Sequence, residues 1–223
     1  MAFKETKELF KNAIERISNE TDTYAVSEAA FPAYAHKNPV IEHVFWKRLQ
    51  LAYEFAIKNN SEAVLDFGCG SGVLSYALAG ICKKVVALDI ETAPLNMIKE
   101  KIAFPSNIEF LDKDIATIDF KDQKFDLIIA LDVLEHVKDL DFYIEQFKKI
   151  LAPSGAILVS GPTENLFYKI GRKLAGNKFT GDYHVTDIHH IRRQFEKTME
   201  VTTEARLLWP VTLFELFSAR KSG

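Results

Sequence analysis

Cysteine is scarce: the chain of 223 residues has two, Cys69 and Cys82. Two thiols cannot build the disulfide framework of a small secreted scaffold, and they stand too isolated for a zinc site. They fit a reducing compartment. Long apolar runs are missing as well. No stretch of about 18 uninterrupted apolar residues occurs, so no segment is expected to span a bilayer. The first residues, MAFKETKELFKNAIERI, are charged throughout and lack the continuous apolar core of a signal peptide. A cytoplasmic protein is expected. Positive charge is not in excess either: Lys+Arg 28 against Asp+Glu 31 leaves a formal net charge of −3. Without a sequence-wide cationic surface, nucleic acid is not an expected partner. The glycines and prolines form no linker, repeat or low-complexity tract that would mark a domain boundary.

What is present suffices for one large domain with short additions, at about 150 residues per domain. The first sixty residues read as helical. Phe3, Phe10, Ile14 and Ile17 fall on one face of a helix. A second helix is expected over about Pro39 to Lys58, with Ile41, Val44, Phe45, Leu49, Leu51, Ala52 and Phe55 as its apolar side. Thr21 to Asn38 between them is aromatic and loop-like. From Ala63 the pattern alternates. AVLDF, VVALDI, NIEFLDKD, FDLIIALD and GAILVSGP read as buried strands, the intervening helices including one to about Ile102 and one from Asp139 to Leu151. Strands separated by helices mean right-handed βαβ units and a parallel sheet. EVTTEARLL and LFELFSARK, with no helix between them, read as a closing hairpin.

Asp66-Phe-Gly68-Cys-Gly70-Ser-Gly72 lies between the first strand and the helix after it. Glycines there let the backbone turn sharply and let a ligand approach the peptide groups. A glycine loop alone suits nucleotide, flavin and other ligands. The dinucleotide fingerprint, however, requires a small residue where this chain has Val73, and no lysine follows to make a phosphate-cradling loop. Charge narrows the choice further. Asp66, Asp89, Asp114 and Asp132 recur at the carboxyl ends of successive strands, where open α/β sheets bind their ligands. Such a cluster repels a pyrophosphate and suits a ligand carrying cationic groups and a ribose diol. Asp89, at the end of the second strand, is placed for that diol. Each Asp can instead merely cap the next helix. One Asp leaves the two readings even; four in register favour the shared ligand.

These blocks, VLDFGCGSG, VVALDI, the Asp114-Ile115 step, FDLIIALDVLEHV and LAPSGAILVSGP, resemble class I S-adenosylmethionine-dependent methyltransferases, most of all the small-molecule group that includes quinone-biosynthesis enzymes. The resemblance covers about Ala63 to Pro162. It implies a Rossmann-like, doubly wound α/β fold: a seven-stranded sheet, mostly parallel with one antiparallel strand near the C-terminus, and helices on both faces. Residues 1–60 are then a helical cap and 61–223 the S-adenosylmethionine-binding domain, built as one structural unit. By the same resemblance, Asp66 and the Gly68 and Gly70 backbone hold the methionine part of the cofactor. Asp89 binds both ribose hydroxyls and Ile90 packs on the adenine. Asp114 reaches the adenine amino group, Ile115 flanks the base, and Leu131 lines the sulfonium with its backbone. Cys69 lends the loop its backbone N–H, and its thiol is a small filler.

Methyl transfer to a hydroxyl calls for in-line alignment and, where the proton is not already acidic, a general base. His136, in LDVLEHV, and His184, in FTGDYHVTD, are the candidates as base or substrate contact. Each can also be an ordinary loop histidine. His189 and His190 are adjacent and cannot point the same way on a helix; no carboxylate spacing joins the histidines into a metal site, and no metal is expected. Tyr24, Tyr34 and His36 could form a lid over the cofactor and Tyr183 could line the acceptor pocket, or these rings simply pack. Residues 164–178, ENLFYKIGRKLAGNK, set Leu166, Phe167, Ile170 and Leu174 against Lys169, Arg172, Lys173 and Lys178. Such a stretch suits an ordinary surface helix, or contact with an anionic membrane surface and a lipid-linked acceptor.

The leading expectation is therefore a methyltransferase acting on a small molecule at oxygen. An Asn-Pro-Pro-Tyr-like amino-methylating motif is missing, and LDVLEHV stands in its place. A nicotinamide-dependent oxidoreductase is the alternative, against which Val73 and the carboxylates count. A third is a protein that binds S-adenosylmethionine without turning it over.

Overall fold

A computed structural model describes residues 2–20, 34, 39–163, 186–207 and 212–222. The expectations for Tyr24, His36, Tyr183, His184 and residues 164–178 lie outside these residues. The strands form a seven-stranded sheet in the order β3 (Ile108–Leu111), β2 (Lys84–Leu88), β1 (Ala63–Phe67), β4 (Phe125–Leu131), β5 (Leu151–Pro162), β7 (Phe214–Lys221), β6 (Met199–Leu207). The chain divides into two compact units, Met1–Asp119 and Phe120–Gly223. The N-terminal helices pack within the first of these units.

In that first unit, α1 (Phe3–Glu20) and α2 (Pro39–Lys58) precede β1 (Ala63–Phe67), α3 (Val73–Ala79), β2 (Lys84–Leu88), α4 (Ala93–Lys99) and β3 (Ile108–Leu111). The helical spacing of α1 buries Phe10, Ile14 and Ile17. Phe10 meets Tyr76 of α3 edge-on at 5.4 Å between ring centroids and Phe104 at 6.1 Å. Edge-to-face contacts of this kind add to the apolar area they bury. The helix α2 has the expected bounds, with Val44, Leu49, Ala52 and Phe55 buried and Trp46 and Ala56 added to the same core. β1 pairs parallel with β2, and β2 with β3. α4 stops at Lys99, short of the expected Ile102. Ile102 is still buried and its N–H reaches the Ile98 carbonyl, so the apolar spacing outlasts the helix. Pro105 then disfavours helical backbone at Phe104.

The second unit holds β4 (Phe125–Leu131), α5 (Leu140–Ile150), β5 (Leu151–Pro162), α6 (Ile188–Glu196), β6 (Met199–Leu207) and β7 (Phe214–Lys221). Asp139 caps α5 by accepting the Phe142 N–H at 3.0 Å, and Leu151 ends it, the two positions expected to bound that helix. β4 pairs parallel with β5, whereas β7 runs antiparallel to both β5 and β6. That is the single reversed strand expected near the C-terminus. The hairpin strands carry a buried ion-pair knot. Glu215, 3% exposed, accepts from Arg192 at 2.9 Å and from Arg206 at 3.1 Å, tying α6 to the β6–β7 pair. Among the described residues no helix is long and apolar enough to cross a membrane.

Candidate functional site

The first unit assembles its candidate site from the ends of β1 and β2. β1 buries Val64 and Leu65 completely, and the alternating pleat carries Asp66, 3% exposed, into the same low-dielectric environment. Its Oδ2 accepts the Ser75 hydroxyl of α3 at 2.5 Å. Burial raises the Asp66 carboxyl from 3.8 to about 7, the neighbouring Asp89 charge adds to the rise, and the Ser75 bond opposes it. A carboxyl so placed gains from any cation that reaches it.

The loop between β1 and α3 is pinned to β2. Gly68 and Cys69 both donate their N–H groups to the Leu88 carbonyl, at 2.8 and 3.1 Å. Gly70 donates its N–H to Asp89 Oδ2 at 2.7 Å, and Asp89 Oδ1 accepts the Glu91 N–H at 2.9 Å. Each Asp89 oxygen thus holds one backbone donor and keeps lone pairs for a ligand. The half-buried Cys69 thiol has its ionisation pushed far up by burial and by the charges of Asp66 and Asp89. It is no nucleophile at neutral pH.

Gly70 and Gly72 have φ of +53° and +78°, and a side chain at each would meet different surroundings. A Cβ on Gly70 would find nothing within 4 Å, whereas one on Gly72 would come within 2.9 Å of Leu95 Cδ1 and 3.1 Å of Phe104 Cε1. Gly70 therefore faces open space that a ligand can enter, and Gly72 is needed for packing. Alanine at Gly70 is expected to cost about 1–2 kcal/mol of stability from backbone conformation alone. Alanine at Gly72 adds about 1–3 kcal/mol of overpacking, and urea unfolding of the two variants measures the difference.

The four strand-end aspartates separate by role. Asp114 Oδ1 accepts the Ala116 N–H at 2.9 Å and caps a short 3-10 turn, Ile115–Thr117. Asp89 makes the equivalent bond to the Glu91 N–H, and in addition holds the Gly70 N–H of the glycine loop. Ile115 is 3% exposed, so its side chain belongs to the core. Ile90 beside Asp89 is 77% exposed and presents its apolar surface openly.

In the second unit, Leu131 ends β4 half-buried, and Asp132 follows it with φ +53°. Asp132 Oδ1 accepts the Ser160 hydroxyl of β5 at 2.9 Å. A 3-10 turn, Leu134–His136, comes next, with Glu135 buried and His136 exposed. His189 and His190 are exposed on α6. No group of three potential metal ligands occurs among the described residues.

Sequence reasoning missed Arg48, which is 3% exposed on α2 and stacks its guanidinium 4.3 Å from the centre of the Phe45 ring. Tyr34 lies nearby: its carbonyl accepts the Trp46 indole N–H at 3.1 Å. Burial raises the Tyr34 phenol, the Arg48 charge opposes the rise and the Asp66 charge adds to it, so Tyr34 feels both residues. The available signal was an arginine set among the apolar positions of FWKRLQLAYEFA. Arginine is almost never fully buried without a polar reason.

A family model described as a methyltransferase domain matches residues 58–206. A ubiquinone biosynthesis O-methyltransferase from Pelagibacter ubique (strain HTCC1062) is 26% identical over 162 residues, 67% of this chain and 64% of that protein. One from Pasteurella multocida (strain Pm70) is 36% identical over 109 residues, 44% of this chain and 45% of that protein. The match spans between about two fifths and two thirds of the length of the curated relatives. Among solved structures, the N-methyltransferase NodS from Bradyrhizobium japonicum WM9, in complex with S-adenosyl-l-homocysteine, aligns with a TM-score of 0.65 at 19% identity. That alignment covers 95% of this chain and 100% of NodS, and shows that the two share a fold. With its sheet order, its glycine loop and a matching model over most of its length, the chain belongs to the methyltransferase-domain family.

Proposed function

We propose that the protein is an S-adenosylmethionine-dependent methyltransferase acting on a small-molecule acceptor at oxygen. The observation that carries the reading is the pairing of the buried Asp66 carboxyl with an Asp89 carboxylate held against the open Gly70 backbone. This donor set fits the cofactor's chemistry. Asp66 faces its ammonium group, Asp89 accepts from its ribose hydroxyls, and the exposed Ile90 covers its base. Asp114, after the third strand, is the residue for the adenine amino group. When bound, S-adenosylmethionine supplies a methyl group already activated by a positively charged sulfur. The chain's own task is then to align the acceptor and remove its proton. By the family resemblance, Leu131 is the residue for the sulfonium through its backbone. His136 is the residue for the proton. His184 has the same proposed role on the acceptor side.

The names of the relatives, ubiquinone biosynthesis O-methyltransferases, support oxygen as the target atom, as does LDVLEHV after the fourth strand. Contact of residues 164–178 with a membrane surface belongs to the same proposal, through a lipid-linked acceptor. A thermal-shift comparison tests the cofactor class. S-adenosylhomocysteine is expected to raise the melting temperature and NAD to leave it unchanged; the reverse result would establish the oxidoreductase reading instead. His136→Gln is expected to leave S-adenosylhomocysteine affinity within about twofold and to lower methyl transfer to a phenolic acceptor by about 100-fold or more. Radiolabelled methyl incorporation measures this.

A further inference from the structure

The backbone at the end of β4 has an unusual conformation with an identifiable cause. Among the described residues, three other than glycine have positive φ: Asn60, Lys121 and Asp132. Asn60 follows α2, and Lys121 lies in the turn before β4, both places where the chain must reverse. Asp132 instead directly follows β4, whose residues Ile128, Ile129 and Ala130 are fully buried. Aspartate is among the few side chains that tolerate this region, and tertiary contacts must still hold it there.

Ser160 of β5 makes two contacts to Asp132. The Asp132 N–H donates to the Ser160 carbonyl at 3.0 Å, and Asp132 Oδ1 accepts from the Ser160 hydroxyl at 2.9 Å. Ser160 is wholly buried and follows the buried run Ala156, Ile157, Leu158 and Val159 of β5. An alanine would fill that place without desolvating a hydroxyl. The serine is accounted for by its bond to Asp132. Directly after this two-point clamp the chain enters the turn Leu134–His136, closed by the His136 N–H on the Val133 carbonyl at 3.1 Å. The direction in which the turn leaves the strand is set at Asp132.

We infer that Ser160 is a positioning residue: its hydroxyl and carbonyl hold Asp132 left-handed and thereby aim the turn that carries His136. The clamp is a property of the fold; its value to methyl transfer rests on the role proposed for His136. Ser160→Ala is expected to shift the His136 ring signals in a nuclear magnetic resonance spectrum. The same variant speeds hydrogen exchange at the Asp132 and His136 amides at least tenfold, leaving Leu158 unchanged. A residue that merely packs would lower the melting temperature without moving the His136 signals. Ser160→Thr, which keeps the hydroxyl, restores both readouts. Should threonine be too large for the strand to fold, Ser160→Ala combined with Asp132→Gly makes the same test. Glycine adopts positive φ without a clamp, so the His136 amide returns to its original exchange rate. Wild-type signals and exchange in Ser160→Ala would overturn the inference. Titration with S-adenosylhomocysteine separates the two readings. A wild type that fails to bind it removes the proposed function and leaves the clamp intact, whereas normal binding with an unmoved His136 removes only the clamp.

Discussion

Asp66→Asn is expected to raise the melting temperature of the ligand-free protein at pH 8 by several degrees and to weaken S-adenosylhomocysteine binding at least tenfold. Both effects come from one buried charge. The folded carboxyl keeps its proton up to about pH 7, against 3.8 without burial. Between those values the folded state binds more protons than the unfolded state, so stability falls as pH rises and levels off above about 7. Each tenfold change in proton affinity is worth about 1.4 kcal/mol, so ionised Asp66 opposes folding by up to about 4 kcal/mol. Asparagine retains an oxygen for the Ser75 hydroxyl and carries no charge. A gain of about 1–3 kcal/mol at pH 8, shrinking towards pH 4, is the expected result of denaturation at the two pH values. Binding runs the other way. A ligand ammonium favours the ionised carboxylate, so wild-type affinity should rise with pH to about 7 and then flatten. The asparagine variant should lose that slope. A variant with neither added stability at pH 8 nor altered affinity would remove Asp66 from the site.

Asp89→Ala is expected to weaken S-adenosylhomocysteine binding by about 10–100-fold, measured by isothermal titration. The carboxylate has two duties: it accepts the Gly70 and Glu91 backbone N–H groups, and in the proposed function it takes the ribose hydroxyls. Charge-assisted hydrogen bonds contribute about 1.5–3 kcal/mol each, and the Gly70 peptide loses its anchor as well. Asp89→Asn separates the duties. It leaves one oxygen acceptor in place of two, so it should keep the loop and still lose much of the affinity. Equal affinity in all three proteins would show that the ribose is held elsewhere.

How much of this was legible depended on whether the signal was periodic or conformational. The bounds of α2 and of β1 follow from apolar spacing and from the glycine loop, and the structure has them where the spacing puts them. The α6 helix was visible only as a pair of histidines. Its buried Ile188, Ile191 and Phe195 do keep helical spacing, but the helix is short and the residues between are polar. The four aspartates share a strand-end position, yet sequence spacing cannot tell that Asp89, besides bonding its own turn, holds the Gly70 N–H of a different loop. Arg48 escaped notice because charged residues on a helix are ordinarily solvated; only the packed structure shows the guanidinium over Phe45. The left-handed backbone of Asp132 has no spacing signature at all. It depends on Ser160, 28 positions away.

A crystal structure of the protein grown with S-adenosylhomocysteine is expected to show the ammonium group within hydrogen-bond distance of Asp66, both ribose hydroxyls on Asp89 and the adenine against Ile90. A nucleoside bound away from these residues, or no bound nucleoside at saturating concentration, would contradict that placement.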